Sequence, residues 1–327
     1  MVKFLVIRFS SIGDIVLTTP VIRCLKQQVE GASVHFLTKE AFSSVLDGNP
    51  YIDKQYTLKD NYSELLAQLK EESYDYIIDL HKNLRTFRIR NALKRQTFSF
   101  DKINRQKWLM VKFKRDHLPK EHIVDRYFEA VKAFSVENDK LGLDYFINNK
   151  ENEQIFKETG TDDYIVFVVG AKHKTKQIPV DIAKEIINGL DKKVVLIGGK
   201  DDVDQASEIV SGMEKDVLNT TGSYSLFQSA ALIKCAYAII TPDTGMMHIA
   251  SAFKKPVISL WGNTIPEFGM YPYIPGEKSK MFQVADLKCR PCSKLGFDKC
   301  PKKHFDCMMK QNVKGIVKYV NTLTGEL

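Results

Sequence analysis

Long apolar runs are missing from this sequence. A helix that crosses a bilayer needs roughly 20 consecutive apolar residues, and the best run, Tyr164 to Ala171, is far shorter. The opening MVKFLVIRFSS is interrupted at Arg8 and is too short for an export signal, so the expected compartment is the cytoplasm. Cysteine is scarce, six in 327 residues, too few for a disulfide scaffold in a chain this long. No short-period repeat or low-complexity tract occurs, which removes solenoids, collagens and disordered scaffolds. No GxGxxG follows the first apolar run and no GxxxxGKS or GxxxxGKT occurs anywhere, so dinucleotide dehydrogenases and P-loop enzymes lose their main support.

What is present reads as a folded enzyme: 44% apolar, 10% aromatic and 27% charged residues. The length suits two domains better than one core. Short β-branched runs alternate with amphipathic stretches: VKFLVIRF, a helical pattern to about Val29, SVHFLT, a helix near 40 to 47, a strand at Gln55 to Leu58, YDYIIDLH, and a helix around His122 to Phe134. After a polar stretch the pattern restarts with YIVFVVG, KKVVLIGG, YAIITP and PVISLWG. This is βαβ grammar twice over. It predicts two doubly wound α/β domains, 1–155 and 156–327, with ligand between them at the carboxyl ends of the strands. The last helix, about Asn312 to Leu323, is expected to return to the first domain.

Three turns carry the chemistry. The first strand runs into SSIGD, where Gly13 permits a tight turn and Asp14 stands either at the mouth of the site or as a helix cap. YAIITP leads into DTGMMHIASA; Asp243, Thr244 and Gly245 precede a helix starting near Met246, and such a terminus offers amide N–H groups and a favourable dipole to a diphosphate. The bland reading there is an ordinary N-cap with His248 packed in the helix. Asp243 with His248 makes no metal site, since two ligands are too few. The third turn, GAKHKTKQIP, places Lys172, His173, Lys174 and Lys176 before a helix, where lysine can meet phosphate as a point charge. The turn KDDVD offers Asp201 or Asp202 to ligand hydroxyls, or as a helix start.

In order along nearly the whole chain, SSIGDIVLTTP, GAKHKTKQIP, LIGGKDD and DTGMMHIASAFKKPVISLWG resemble the ADP-heptose:lipopolysaccharide heptosyltransferases, glycosyltransferase family nine. The resemblance implies a GT-B fold of two Rossmann-like domains, with acceptor bound mainly by the first and donor by the second. It implies a metal-independent, inverting transfer of heptose from ADP-heptose to the lipopolysaccharide inner core, with no cofactor. Asp14 then takes the position of the catalytic base and Lys176 that of a lysine on the donor phosphates. Asp243, Thr244, Gly245 and His248 fall on the DTGxxH donor motif. Asp202 and Tyr224 match donor contacts more loosely. Ile178 replaces the family's tryptophan, and Lys172 and His173 replace its threonine pair, which leaves room for another nucleotide-sugar donor.

The net charge of +8 is unevenly spread: residues 82–115 hold twelve basic side chains against Asp101 alone. Given the resemblance, Arg85, Arg88, Arg90, Lys94, Arg95, Arg105 and Lys107, with Trp108, Leu109 and Met110 as apolar insertions, are expected to meet lipid A, the phosphorylated core or the inner face of the inner membrane. The protein would then be cytoplasmic and peripheral. A solvated helical face is the plain alternative. A nucleic-acid-binding protein is the rival of another class, but no zinc finger or RNA-recognition motif accompanies the charge. Cys289, Cys292, Cys300 and Cys307, with His304 close by, could hold a structural zinc or remain reduced or partly disulfide-linked thiols.

Overall fold

The computed structural model describes residues 1–147 and 163–325. The chain forms two α/β units, Met1–Lys102 with Glu121–Phe146, and Ile103–Lys120 with Ile147–Leu327. The expected boundary at 155/156 lies outside the described residues. A single cut was expected, but residues 103–120 group with the second unit.

In the first unit the elements run β1 (Val2–Ile7), α1 (Ile12–Val16), α2 (Thr19–Gln28), β2 (Ala32–Lys39), β3 (Lys54–Leu58), α3 (Tyr62–Glu71), β4 (Tyr76–Asp79), α4 (Leu84–Leu93) and β5 (Gln96–Ser99); α5 (Asn104–Phe113) follows in the second unit and α6 (Ile123–Phe128) returns to the first. The sheet order is β3-β2-β1-β4-β5, all parallel. A parallel sheet is covered on both faces, so its central strands read as continuous apolar runs. Phe4 to Ile7 are accordingly all at 0% exposure. Pro20, expected to kink or restart the helical stretch to Val29, sits in the first turn of α2, and the stretch is two helices, α1 and α2. The helix expected near 40 to 47 is a 3-10 helix over Glu40–Leu46. Arg23 on α2 stitches the chain after α6 to this unit: its guanidinium donates to both oxygens of Asp139 at 2.8 Å, to Asp144, and to the Gly142 carbonyl at 2.9 Å.

The second unit runs β6 (Tyr164–Val168), α7 (Val180–Gly189), β7 (Lys193–Ile197), α8 (Val203–Val210), β8 (Val217–Asn219), α9 (Leu226–Cys235), β9 (Ala238–Pro242), α10 (Gly245–Ala252), β10 (Val257–Trp261), β11 (Lys280–Gln283), α11 (Asp306–Met309) and α12 (Val313–Gly325). Its sheet is β11-β10-β9-β6-β7-β8, again all parallel. The last helix packs on the core of the second unit. Its stripe of Val313, Ile316, Val320 and Leu323 joins the second core with Ile182, Ile186 and Ile187 of α7. A stripe at i, i+3, i+7, i+10 needs a matching apolar face, and α7 supplies one.

In each sheet the chain order reverses beside the first strand, between β1 and β4 and between β6 and β9. Open α/β sheets bind ligands at the carboxyl ends of the strands at such a point. The motif turns fall at those ends.

Candidate active site

Beyond β1, Arg8 is buried at 9% exposure. Its Nη2 donates to Asp14 Oδ1 at 2.5 Å, its Nη1 to the Leu80 carbonyl at 2.5 Å and its Nε to the Ser10 carbonyl at 3.0 Å. The other Asp14 oxygen accepts from Ser11 N at 3.1 Å and Ser11 Oγ at 2.7 Å. Ser11 is the N-cap of α1, and Asp14 at the third helical position closes its capping box while also being gripped by a buried cation; Gly13 beside it is buried. Burial opposes the charge on Arg8, but Asp14, Tyr127 and Asp79 outweigh it and raise the guanidinium above its ordinary value. Arg8 was visible in the sequence only as an interruption of an apolar run. Its role depends on contacts to Leu80, 72 residues away.

In the second unit Lys176 Nζ donates to Asp243 Oδ2 at 2.6 Å, and Thr264 Oγ1 donates to the same oxygen at 2.8 Å. The ammonium has three donors, so its pairing with Asp243 orients it without using it up. Thr244 caps α10: its Oγ1 accepts from Met246 N at 3.2 Å. The Met246 N–H is thus engaged by the cap, and the first turn offers its other amides to an anion. Gly245 opens that helix and His248 is buried within it at 2% exposure. Asp202, from the turn after β7, accepts from Gly199 N at 2.9 Å and from Gln177 Nε2 at 3.3 Å, so it starts a helix and touches the turn that carries Lys176. Burial raises its carboxyl above the ordinary value.

A methyl group on Gly170 would fall 2.0 Å from Asp202 Oδ2. Gly170→Ala is expected to push that carboxylate aside and cost about 1–3 kcal/mol, as overpacking does; an unchanged denaturant midpoint would show that Asp202 is not fixed. The structure thus joins Lys176 to Asp243 and Thr264, and Asp202 to Gln177, the residue after Lys176; Thr264 and Gln177 are the partners sequence reasoning missed. Lys172 is exposed. His173 packs under the 289–307 loop, since a methyl on Gly296 would meet its Cβ at 2.5 Å. Tyr224 lies half-buried after β8, and among the described residues no hydrogen bond ties it to this set. Ile178 is core, at 1% exposure.

The basic segment is not uniform. Arg85, Arg88, Lys94 and Arg95 are exposed on or just after α4 in the first unit. Arg90 is not a solvent cation as expected; its Nη1 pairs at 3.2 Å with the fully buried Asp79. Arg105 and Lys107 lie on α5 in the second unit, Arg105 exposed and Lys107 over the Phe268 ring at 5.8 Å. Helix α5 buries none of its residues, and Trp108 and Phe113 are each 51% exposed. Lys114 donates to the carbonyls of Cys289 at 3.2 Å and Pro291 at 2.5 Å. The four C-terminal cysteines are free thiols; Cys289 Sγ lies 3.9 Å from His304 Nε2. Among the described residues no three His, Cys, Asp or Glu side chains are arranged to hold a metal ion. The loop braces the turn after β10 and the turn after β6: Arg290 donates to Gly262 O at 2.6 Å and Thr264 O at 2.7 Å, and Phe297 and Thr175 exchange bonds.

Comparison with known proteins places the chain in a family. The family model for glycosyltransferase family 9 (heptosyltransferase) matches residues 63–300. Lipopolysaccharide heptosyltransferase 1 of Campylobacter coli is 24% identical over 288 residues, 80% of this chain and 84% of that protein. Among solved structures, the family 9 glycosyl transferase of Veillonella parvula superposes with a TM-score of 0.78 at 21% identity, covering 99% of this chain and 98% of that one. E. coli ADP-heptose lps heptosyltransferase II gives 0.76 at 19%, covering 98% of each chain. The two all-parallel α/β domains are those of a GT-B fold. With the match extending over most of its length, the chain belongs to glycosyltransferase family 9 and is a glycosyltransferase.

Proposed function

We propose that the chain transfers heptose from ADP-heptose to the inner core of lipopolysaccharide, on the lipid A side, with inversion and without a metal. The observation that carries this is the set on the second unit: an ammonium oriented by a carboxylate beside a capped helix N-terminus, at the point where strand order reverses. That set suits a departing diphosphate. The first unit supplies the complementary group, a carboxylate fixed by Arg8.

In the reaction the acceptor hydroxyl attacks the anomeric carbon. Its proton passes to Asp14 as the new C–O bond forms. The bond from the anomeric carbon to the β-phosphate oxygen breaks on the opposite face, and its electron pair leaves with ADP. Lys176 and the amides of α10 stabilise the growing phosphate charge. Direct displacement inverts the centre.

Donor competition tests the reading. ADP-heptose should support turnover and protect the protein against heat better than UDP-sugars; no effect of ADP-heptose beside a strong effect of another nucleotide sugar would reassign the donor. Ile178 and the Lys172–His173 pair favour that second reading, because they stand where the family carries other residues.

The acceptor is a phosphorylated glycolipid, and we place the enzyme at the cytoplasmic face of the inner membrane, without a role for nucleic acid. Support comes from exposed cations flanked by apolar side chains: Leu84 and Phe87 beside Arg85 and Arg88 on α4, and Trp108 and Phe113 beside Arg105 and Lys112 on α5. Each cation near an anionic surface contributes about 1 kcal/mol. Reversing Arg85, Arg88 and Arg105 to Glu is expected to weaken binding to anionic vesicles by about 10²-fold or more. Vesicle binding and acceptor KM that both stay at the wild-type value would end the docking role.

A further inference from the structure

His81 follows β4 at the carboxyl edge of the first sheet. Asp79 fixes its turn: one carboxylate oxygen accepts from His81 N at 3.0 Å and Lys82 N at 2.7 Å, and the other pairs with Arg90. The imidazole packs on Phe9, with ring centroids 5.1 Å apart. Its Nδ1 is buried without a hydrogen-bond partner, whereas Nε2 is not among the buried unpaired atoms. The half-buried ring thus turns one nitrogen into apolar packing and leaves the other accessible. Arg8 ties this turn to the proposed base, because one guanidinium holds both the Leu80 carbonyl and Asp14.

Buried polar atoms are nearly always paired, and an unpaired one asks for an explanation. A neutral imidazole carries one N–H. With no acceptor at Nδ1, the proton is better placed on Nε2, where a ligand or water can take it. Burial first, then Arg8 and Lys102, holds the ring far below its ordinary value, at about 4, so it is neutral at physiological pH.

We propose that His81 is an acceptor-binding residue, its Nε2–H donating to an oxygen of the acceptor sugar next to the attacking hydroxyl. This rests on the transferase reading above and adds to it the residue that orients the acceptor beside Asp14. None of the steps assigned to Asp14, Lys176 or α10 uses the imidazole. It is the polar group at the β4 strand end whose ring nitrogens the fold itself does not occupy.

The test uses the full-length protein, ADP-heptose and an O-deacylated lipid A–core saccharide. His81→Leu is expected to raise acceptor KM by about tenfold, the loss of one hydrogen bond, with donor KM and ADP affinity unchanged. His81→Gln, which returns an N–H near the Nε2 position, should recover part of that loss. A purely structural role would move both substrates and the melting temperature together. Acceptor KM within about twofold of wild type in His81→Leu overturns the proposal. A second measurement does not depend on turnover: the ¹⁵N imidazole resonance of His81, identified by its loss in His81→Leu, should shift as the saccharide is titrated. A resonance unmoved at saturating saccharide, or a saccharide that does not bind, overturns it equally. A shift without turnover from ADP-heptose would leave His81 in place and refute the donor assignment instead.

Discussion

Asp14→Asn should reduce kcat by about 10²–10⁴-fold, the usual contribution of a positioned general base, and leave ADP affinity at its wild-type value. Asparagine keeps one oxygen, for Arg8, and turns its NH2 toward Ser11, whose Oγ can accept, but it cannot take a proton. The loss should therefore appear in kcat, with KM for the donor little changed. Stability provides the contrast. Arg8 and Asp14 are 10% and 22% exposed in their side chains, so a variant that removes the carboxylate strands a largely buried cation. Breaking a buried pair costs up to about 3–5 kcal/mol, and this partly exposed pair should fall below that. Asp14→Ala is thus expected to lose both activity and melting temperature, whereas Asp14→Asn loses activity with a smaller fall in stability. If Asp14 only closed the capping box of α1, Asp14→Asn would keep its turnover, since the asparagine amide can still bond to Ser11 in that first turn.

Lys176→Met is the second large effect. It removes the ammonium next to the proposed diphosphate seat and leaves Asp243 and the leaving group as like charges. Loss of one preorganised donor typically costs about 10²–10³-fold in kcat, and the repulsion should also raise donor KM. The two consequences can be separated, because Asp243 is held by Thr264 as well as by Lys176. Lys176→Met with Asp243→Asn should regain donor KM but not kcat, a coupling read from the double-mutant cycle. Additive effects of the two changes would mean that Lys176 and Asp243 do not act on the same anion, and kinetics at saturating acceptor would reveal it.

Much of the fold was legible. The central strands are covered on both faces, so VKFLVI, YIVFV and VISLW announce themselves as apolar runs, and the turns after them carry the DTG and SSIGD motifs. The strands that escaped are β5, β8 and β11, all at sheet edges and three or four residues long. QTFS, VLN and KMFQ are too short to show a period, and an edge strand is held by one neighbour instead of two. The site was half legible for a related reason. Asp14, Lys176 and Asp243 stand in recognisable turns, but Arg8, Thr264 and His81 gain meaning only from partners distant in sequence. Arg90 misled because its charge resembles its neighbours' until the buried Asp79 is seen beside it. Helix α5 misled in another way. Nothing in NRQKWLMVKF says which core it accompanies, since none of its residues is buried.

Stereochemical analysis of the product tests the mechanism most directly. Wild-type protein incubated with ADP-heptose and O-deacylated lipid A–core saccharide should yield a saccharide heavier by one heptosyl residue. ADP should be released in equal amount, and NMR should show an anomeric configuration opposite to that of the donor; Asp14→Asn should give none of this product. Retained configuration, or the same product formed at wild-type rate by Asp14→Asn, would contradict direct displacement assisted by Asp14.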